Sequence, residues 1–524
     1  MNLGRYAGLA GAAVAFLALP PVAGANVRAD FNDDGFEDLA IGIEGEDLPA
    51  PDNVLNAGAV TVIYGSSSGL DATGPPADQF WHEEVAGVRG SGKGDDGFGA
   101  AVAAGDFDGD GRSDLAIGAT GDDVRGKDYA GSLRVLYGGN NGLTANGDEM
   151  FTEATKGVPG VPADLNYMAS TLAAGDFDAD GDDDVVATLE GQRVDGAQNA
   201  GAVLVFKGSN GGLKAGGAKL FTEGTPGIAG EPAPYDGFGD ALAAADFRAK
   251  GPDELAIGVP ADAVGATTGA GTVRVLFGGR GGLTANGDRR IDADQGSIVG
   301  NAEQDDHFGS SVAGGSLNAD KADELVIGVP DDDDSTGGAV DILEGAGRGP
   351  STQSATQWSQ SVADVLGTAE VGDRFGASVT IGDFDDEIGG DLAVGVPGDN
   401  DAGFDGAGAV NVIYGDGSGL TPTGDQLIEQ SATGVEGTAE AQDQLGSIVA
   451  DADFNDEDGD DLAIVVPFDD AGAVEAAGAV QVFYGSNPNG LTASSDELFH
   501  QGLAAIENEP TENEYFGFAL NAGW

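Results

Sequence analysis

One aspartate-rich loop recurs seven times along the chain, and this repeat restricts the possible folds more than any other feature. The clearest copy, residues 106–114, reads Asp-Phe-Asp-Gly-Asp-Gly-Arg-Ser-Asp and leads directly into a short apolar segment. The copies are spaced by about 70 residues, and such regularity is the signature of a repeat architecture. Because each unit needs its neighbours to bury a core, the repeat predicts one stacked or closed domain. The copies begin at Asp30, Asp106, Asp176, Asp246, Ser316, Asp383 and Asp453.

Each repeat contains four segments with the character of β-strands. A first strand carries Phe-Gly, as at residues 98–99, and a second, continuously apolar strand follows the loop, as at Leu39–Ile43. The third strand alternates Val with polar residues, as at residues 131–138. The fourth is more polar, as at residues 79–83, which suits the outer edge of a sheet. Seven such units predict an all-β fold, a seven-bladed β-propeller.

The two ends of the chain complement each other. Residues 516–524 form a first strand that no loop follows, whereas the loop at Asp30 has no first strand before it. Pairing of these N- and C-terminal strands in one blade would close the ring and remove an exposed sheet edge.

The loops have the composition of calcium sites. Oxygen-bearing side chains stand at positions 1, 3, 5 and 9, and Ca²⁺ prefers many hard oxygen ligands. The start resembles an EF-hand loop, but position 12 is a strand residue such as Ile117 instead of Glu. Position 7 would contribute its backbone carbonyl. We predict about five structural calcium sites. Their predicted ligands are Asp30, Asn32, Asp34, Phe36 and Asp38; Asp106, Asp108, Asp110, Arg112 and Asp114; Asp176, Asp178, Asp180, Asp182 and Asp184; Asp383, Asp385, Glu387, Gly389 and Asp391; and Asp453, Asn455, Glu457, Gly459 and Asp461.

The fourth and fifth loops depart from this pattern. Arg248 and Lys250 stand where the fourth loop needs carboxylates, and the fifth has Ser316 and Asn318 at positions 1 and 3. These two loops are expected to bind metal weakly or not at all. An Asp-rich turn that caps itself through side-chain hydrogen bonds explains one loop, but not five copies with the same ligand positions.

The motifs together resemble a known family. The Phe-Gly strand, the DxDxDGxxD loop and the Gly-x-Pro after the second strand, as at residues 258–260, resemble FG-GAP repeats. These repeats form the head of integrin α subunits, and the resemblance covers residues 26–524. It implies calcium in the hairpin loops of one face and ligand binding on the opposite face. The loops of that opposite face would correspond to residues 44–57 and 121–130.

The N-terminus has the pattern of a signal peptide. Arg5 precedes an apolar stretch at residues 7–19, and an Ala-x-Ala motif predicts cleavage near Ala25. Residues 1–25 would then be removed, and residues 26–524 would form a single secreted, extracellular propeller. No later apolar run approaches the length of a transmembrane helix. The chain has no cysteine, which excludes disulfides and thiolate chemistry.

Charge restricts the partners. The formal net charge of −68 disfavours nucleic acid and anionic membrane surfaces, because like charges repel. An extracellular protein or glycan ligand is therefore expected, with the propeller itself monomeric.

The sequence offers no convincing catalytic motif. Residues 65–69 match G-x-S-x-G without its strand-turn-helix context, and residues 87–94 approach a P-loop but lack its Ser or Thr. His82, His307 and His500 form no cluster along the chain. We therefore predict no catalytic site, no organic cofactor and no enzymatic activity. The predicted function is protein interaction or adhesion. The alternative is a calcium-dependent lectin or a polysaccharide-acting hydrolase or lyase.

Overall fold

The computed structural model describes residues 29–48, 54–332, 336–456, 459–506, 510–511 and 513–521. Within these ranges the chain forms seven four-stranded antiparallel sheets and contains no helix. The predicted seven-bladed β-propeller is therefore confirmed. The predicted signal peptide and its cleavage site, the proposed ligand Glu457 and the last three residues lie outside the described ranges.

Each blade consists of four strands that follow one another from the centre of the ring to its edge. Blade by blade, these are β28 (Ala519–Leu520), β1 (Leu39–Ile43), β2 (Ala59–Ile63) and β3 (Gln79–Trp81); β4 (Phe98–Gly105), β5 (Asp114–Ala119), β6 (Ser132–Tyr137) and β7 (Thr144–Phe151); β8 (Met168–Gly175), β9 (Asp184–Leu189), β10 (Val203–Lys207) and β11 (Lys214–Phe221); β12 (Ala241–Ala245), β13 (Glu254–Val259), β14 (Thr272–Phe277) and β15 (Thr284–Ile291); β16 (Ser311–Gly315), β17 (Glu324–Val329), β18 (Ala339–Glu344) and β19 (Ser351–Trp358); β20 (Ser378–Gly382), β21 (Asp391–Val396), β22 (Ala409–Ile413) and β23 (Gln426–Ile428); and β24 (Val449–Ala452), β25 (Asp461–Val466), β26 (Ala479–Tyr484) and β27 (Thr492–Phe499).

The first blade is assembled from both ends of the described chain, as predicted. Strand β28 pairs antiparallel with β1, with Leu520 opposite Ile41 and Ala519 opposite Gly42. The inner strands are the most deeply packed: β4 and β8 are buried along their whole length, whereas the outer strand β7 is half exposed. This gradient explains why the fourth strand of each repeat is the most polar in sequence.

The recurring glycines allow neighbouring blades to approach closely. A Cβ on Gly42 would lie 2.1 Å from the carbonyl oxygen of Gly99 in the next blade. The same contact recurs between Gly395 and Gly446, where the distance would be 2.0 Å. Gly99 also has a φ of +94°, which residues with a side chain rarely adopt. The Phe-Gly and Gly-x-Pro motifs are therefore two halves of one contact between blades.

The ring has two faces. The lower face carries the aspartate-rich loops and the hairpins between third and fourth strands. The upper face carries the loops between second and third strands and the connections from one blade to the next.

Each face is encircled by a belt of backbone hydrogen bonds that joins every blade to the next. In the lower belt, the N–H at loop position 8 donates to the position 1 carbonyl of the preceding blade, over 2.7–3.3 Å. The donors are Glu37, Ser113, Asp183, Asp253, Asp323, Gly390 and Asp460. In the upper belt, the first residue of the Phe-Gly pair donates to the preceding blade over 2.7–3.1 Å. The donors are Phe98, Met168, Phe238, Phe308, Phe375, Leu445 and Phe516.

Across the described residues, no helix has the length and apolar character needed to cross a lipid bilayer.

Candidate metal centres

The second loop shows how the chain gathers carboxylates. Oxygen atoms of Asp106, Asp108 and Asp114 all lie within 4.8 Å of one another. Asp106 accepts hydrogen bonds from the N–H groups of Asp110 (3.1 Å) and Gly111 (2.8 Å), which fold the loop around it. Three acidic groups thus converge on one point, as a hard divalent cation requires.

Position 9 connects the loop to its own blade. Asp114 is buried and accepts hydrogen bonds from the N–H groups of Phe107 (2.9 Å) and Gly138 (2.8 Å). Asp391 makes the equivalent bonds in the sixth loop and Asp461 in the seventh. One oxygen of each carboxylate therefore faces position 2 and the other faces the end of the third strand.

Crowding and burial make these carboxylates difficult to ionise without a cation. Burial, with further contributions from the neighbouring Asp108 and Asp106, raises the pKa of Asp114 to about 8. Burial likewise raises the pKa of Asp391 to about 8 and that of Asp383 to about 7. A bound divalent ion would offset this cost by pairing with the ionised forms.

The first, third and sixth loops contain acceptor atoms without a partner. Asn32 Oδ1, Asp178 Oδ1 and Asp383 Oδ1 are buried and make no hydrogen bond to any described residue. All three stand at predicted ligand positions, but the other oxygen of the Asp178 carboxylate already binds the Lys207 ammonium. Buried acceptors are almost always satisfied, so the oxygens of Asn32 and Asp383 fit coordination of a divalent cation. The donor sets of the first, second and sixth loops therefore suit calcium.

Position 7 has a second role beside its predicted carbonyl. The N–H groups of Phe36, Arg112 and Asp182 donate to the position 5 carboxylate of their own loops, over 3.0–3.3 Å. The Arg112 guanidinium also lies 3.0 Å from Asp110 and 2.8 Å from Asn140 Oδ1. Ligation by the carbonyls of Gly389 and Gly459 in the sixth and seventh loops stays a prediction.

The third loop differs although its sequence pattern is complete. Asp176, Asp178 and Asp180 converge within 4.8 Å, and Asp184 accepts a hydrogen bond from Gly208 N–H (2.9 Å). The Lys207 ammonium, however, binds both Asp178 and Asp180, the latter at 2.7 Å. A protein cation thus lies among the predicted ligands.

The fourth loop also contains a protein cation. The Arg248 guanidinium binds the buried Glu254 at position 9 and donates to Gly278 O (2.8 Å). It lies over the Phe277 ring, with Cζ 4.8 Å from the ring centroid. In the fifth loop the Asn318 amide donates to Glu324 (2.9 Å) and to Glu344 (3.2 Å).

Sequence reasoning missed the acidic residue at position 8. Asp183 Oδ2 accepts the N–H of Asp106 (2.9 Å), and Asp460 Oδ2 accepts that of Asp383 (2.7 Å). These bonds add to the lower belt and connect predicted metal loops of adjacent blades. The recurrence of an acid directly before position 9 was the signal that could have identified them.

Two carboxylate groups away from the loops were also not predicted. Glu83, Asp96 and Asp122 are buried and bring oxygens within 4.8 Å of one another, beside the fully buried Arg134. The equivalent group of Glu223, Asp236 and Asp262 surrounds Arg274 between blades 3 and 4. Their members come from separate segments, so no local motif reveals them.

The three histidines stay apart, as the sequence suggests. His307 Nδ1 lies 2.8 Å from Asp331 Oδ2, while His82 and His500 accept local backbone hydrogen bonds from Glu84 and Gly502.

Comparison with known families supports the resemblance drawn from the repeats. Residues 98–136 match the FG-GAP repeat, and this segment runs from the Phe-Gly pair through the second loop to the third strand. The second blade of this propeller therefore contains an FG-GAP repeat. The other blades of the propeller carry the same loop and strand order.

Curated relatives align with part of the chain. Phosphatidylinositol-glycan-specific phospholipase D from Bos taurus is 32% identical over 162 residues, covering 31% of this chain and 18% of the relative. The Rattus norvegicus protein is 34% identical over 158 residues, covering 30% of this chain and 17% of the relative. The chain thus spans less than a fifth of the length of these relatives.

Among solved structures, the exotype rhamnogalacturonan lyase YesX has a TM-score of 0.37 and 13% identity, covering 80% of this chain and 68% of that one. The Dos1 propeller has a TM-score of 0.39 and 10% identity, covering 89% and 85%.

The prediction that the chain is not an enzyme is wrong by this comparison, because the relatives that share its sequence are named as phospholipases D. Local sequence motifs do not decide whether a chain has enzymatic activity. Carboxylates that act together can come from distant segments, as Glu83, Asp96 and Asp122 do here.

Proposed function

We propose that this FG-GAP propeller is a secreted, calcium-stabilised module that binds an extracellular partner through its upper face. The distribution of exposed apolar side chains carries the proposal. Ten large apolar residues are exposed among the described residues, and nine of them lie on upper-face loops. These nine are Leu55, Tyr129, Val161, Leu165, Tyr235, Val299, Leu366, Val371 and Phe404. Only Ile388 lies in a lower-face loop.

This asymmetry is the feature expected of a recognition surface. Scattered apolar residues are normal on any protein, but their concentration on one face marks an interaction surface. Tyr235 is 64% exposed and Phe404 is 45% exposed. Tyr129 and Tyr167 pack together with ring centroids 6.1 Å apart. Aromatic side chains of this kind contribute contact area at low entropic cost, whether the partner is a protein or a glycan.

Calcium supports the same face indirectly. Ions bound in the lower-face loops would neutralise converging carboxylates and fix the ends of the second and third strands. Those strands carry the upper-face loops at their opposite ends. The net charge of −68 further favours a neutral or basic partner over a polyanion.

A second candidate is hydrolysis of a phosphorylated glycolipid. The identity of 32–34% to phosphatidylinositol-glycan-specific phospholipase D, over 30–31% of the chain, favours it. Incubation of the calcium-loaded protein with an inositol-glycan lipid, followed by detection of released phosphatidic acid, tests this candidate. Release that EDTA abolishes would support it, and its absence with folded protein would count against it.

The binding proposal is tested by substituting the upper face. Calcium-loaded protein is applied to glycan and cell-surface protein arrays, beside the triple variant Tyr129→Ser, Tyr235→Ser, Phe404→Ser. The lower-face variant Ile388→Ser is the matched control. The proposal expects a ligand whose binding falls by about tenfold or more in the triple variant, since such residues act as hot spots. Binding that survives the triple variant but is lost in Ile388→Ser would contradict it.

A further inference from the structure

The residue at the end of the third strand, either its last residue or the one directly after it, differs between blades. In four blades it is a tyrosine, namely Tyr64, Tyr137, Tyr414 and Tyr484. The hydroxyl groups of these tyrosines face the next blade: Tyr64 Oη accepts the N–H of Leu143 (3.1 Å), and Tyr414 Oη that of Leu491 (3.1 Å). Each tyrosine therefore connects two blades and places no charge in its own loop.

The third blade has Lys207 at this position, and its side chain turns the other way. The ammonium reaches back into the loop of its own blade and binds Asp178 and Asp180, which are loop positions 3 and 5. Asp178 is buried, while the lysine side chain is 43% exposed and approaches from the rim. These are the oxygens that the sequence pattern assigns to calcium.

We propose that Lys207 is the resident cation of the third loop, which therefore stays folded without calcium. A divalent ion and an ammonium group cannot share the same two carboxylates, because like charges at that distance repel. Calcium could enter only after displacing a lysine that neutralises the site from within the chain. This inference rests on calcium binding by the first, second, sixth and seventh loops, which belongs to the proposed function.

The fourth blade shows the same arrangement independently. Arg248 is itself at loop position 3, and its guanidinium joins the position 9 carboxylate of Glu254 to the Gly278 carbonyl at the end of the third strand. Two adjacent blades thus neutralise their loops with a basic side chain, one supplied by the loop and the other by the third strand.

The test counts calcium ions bound per chain. Wild-type protein and the variants Lys207→Met and Lys207→Tyr are stripped of metal, dialysed to equilibrium against calcium and analysed by atomic emission. Lys214→Met is the matched control, because it removes a lysine of the same blade whose ammonium binds the Gly211 and Gly212 carbonyls instead. We expect one additional calcium in each Lys207 variant and none in Lys214→Met.

Melting temperatures provide a second readout. Without calcium, Lys207→Met should melt below the wild type, because the third loop has lost its only cation among the described residues. With calcium this difference should shrink. An equal, non-zero calcium count in wild type and both Lys207 variants would overturn the inference alone. The absence of bound calcium from every protein would overturn both the inference and the calcium part of the proposed function.

Discussion

The second and third loops have the same aspartates at positions 1, 3, 5 and 9, yet the structure gives them different electrostatics. In the second loop no cation of the described residues binds Asp106, Asp108 or Asp114, although Arg112 pairs with Asp110 at position 5, and Tyr137 points toward the next blade. In the third loop Lys207 takes the place of that tyrosine and binds two of the predicted ligands. Loops that share the same four aspartates can therefore form different sites when a residue outside those four positions changes.

The largest expected effect is that of calcium removal. At free calcium of about 100 times Kd, each proposed site would stabilise the fold by roughly 2.7 kcal/mol. Four sites would contribute roughly 11 kcal/mol, which is comparable to the total stability of a domain. Chelation with EDTA should therefore lower the melting temperature strongly.

Hydrogen exchange should show where that stability is lost. Protection should fall first in the strands flanking the first, second, sixth and seventh loops, and last around the third and fourth. A uniform loss across all blades would contradict the distinction between the two kinds of loop, and an unchanged melting temperature would contradict calcium stabilisation.

The next largest effect is expected from removal of the fourth blade's own cation. Arg248→Met leaves the buried Glu254 without its ion-pair partner, and such a loss typically costs about 3–5 kcal/mol. Because no calcium is expected in this loop, thermal denaturation should show the same loss with calcium and with EDTA. Arg280→Met, at an exposed position of the same blade, is the control and should have little effect. Rescue of Arg248→Met by calcium would show that the loop can hold the ion after all.

One substitution should give the second loop the lysine arrangement of the third loop. Tyr137→Lys should place an ammonium beside Asp108 and Asp110, remove one bound calcium, and reduce the stabilisation by calcium by about 2.7 kcal/mol. Calorimetric titration measures both quantities. Tyr137→Phe retains the ring and should keep the calcium, although it loses a hydrogen bond to Glu149. If Tyr137→Lys binds as many ions as the wild type, the end of the third strand does not control the loop.

The smallest expected effect concerns a carboxyl group neutralised by a proton. Burial, with a further contribution from Asp332, raises the pKa of Asp341 well above its ordinary value. The folded state therefore binds this proton more tightly than the unfolded state. The resulting stability is complete below the unfolded pKa of about 4 and is lost as pH rises toward the folded pKa.

Asp341→Asn removes this titration. As the pH rises from acidic to alkaline, the free energy of unfolding of the variant should therefore increase by about 1–3 kcal/mol relative to that of the wild type. Urea denaturation in EDTA at several pH values measures the difference. Asp331→Asn, at a half-exposed position of the same blade, serves as the control. Parallel pH profiles for wild type and Asp341→Asn would contradict the assignment of a buried, protonated carboxyl.

The sequence was sufficient to predict the propeller, since the fold depends on repeated patterns. Leu39–Ile43 was predicted with its observed bounds, and the pairing of β28 with β1 followed from the incomplete units at the two ends. The features that were not predicted depend on contacts between separate segments. Lys207 lies 27 residues from Asp180, and nothing near the loop motif indicates their contact. The buried groups around Arg134 and Arg274 were missed for the same reason. The sequence similarity to named enzymes was also not predicted.

The two belts of backbone hydrogen bonds have a mechanical consequence. One belt encircles each face, so every pair of neighbouring blades is joined by backbone hydrogen bonds at both faces. Separating two blades at either face would stretch or break a hydrogen bond of that belt. Widening the central space of the ring would strain all the hydrogen bonds of both belts together. If the upper face binds a ligand as proposed, adaptation would come from the loop tips outside the two belts. The blades would hold Tyr129, Tyr235 and Phe404 at fixed spacing.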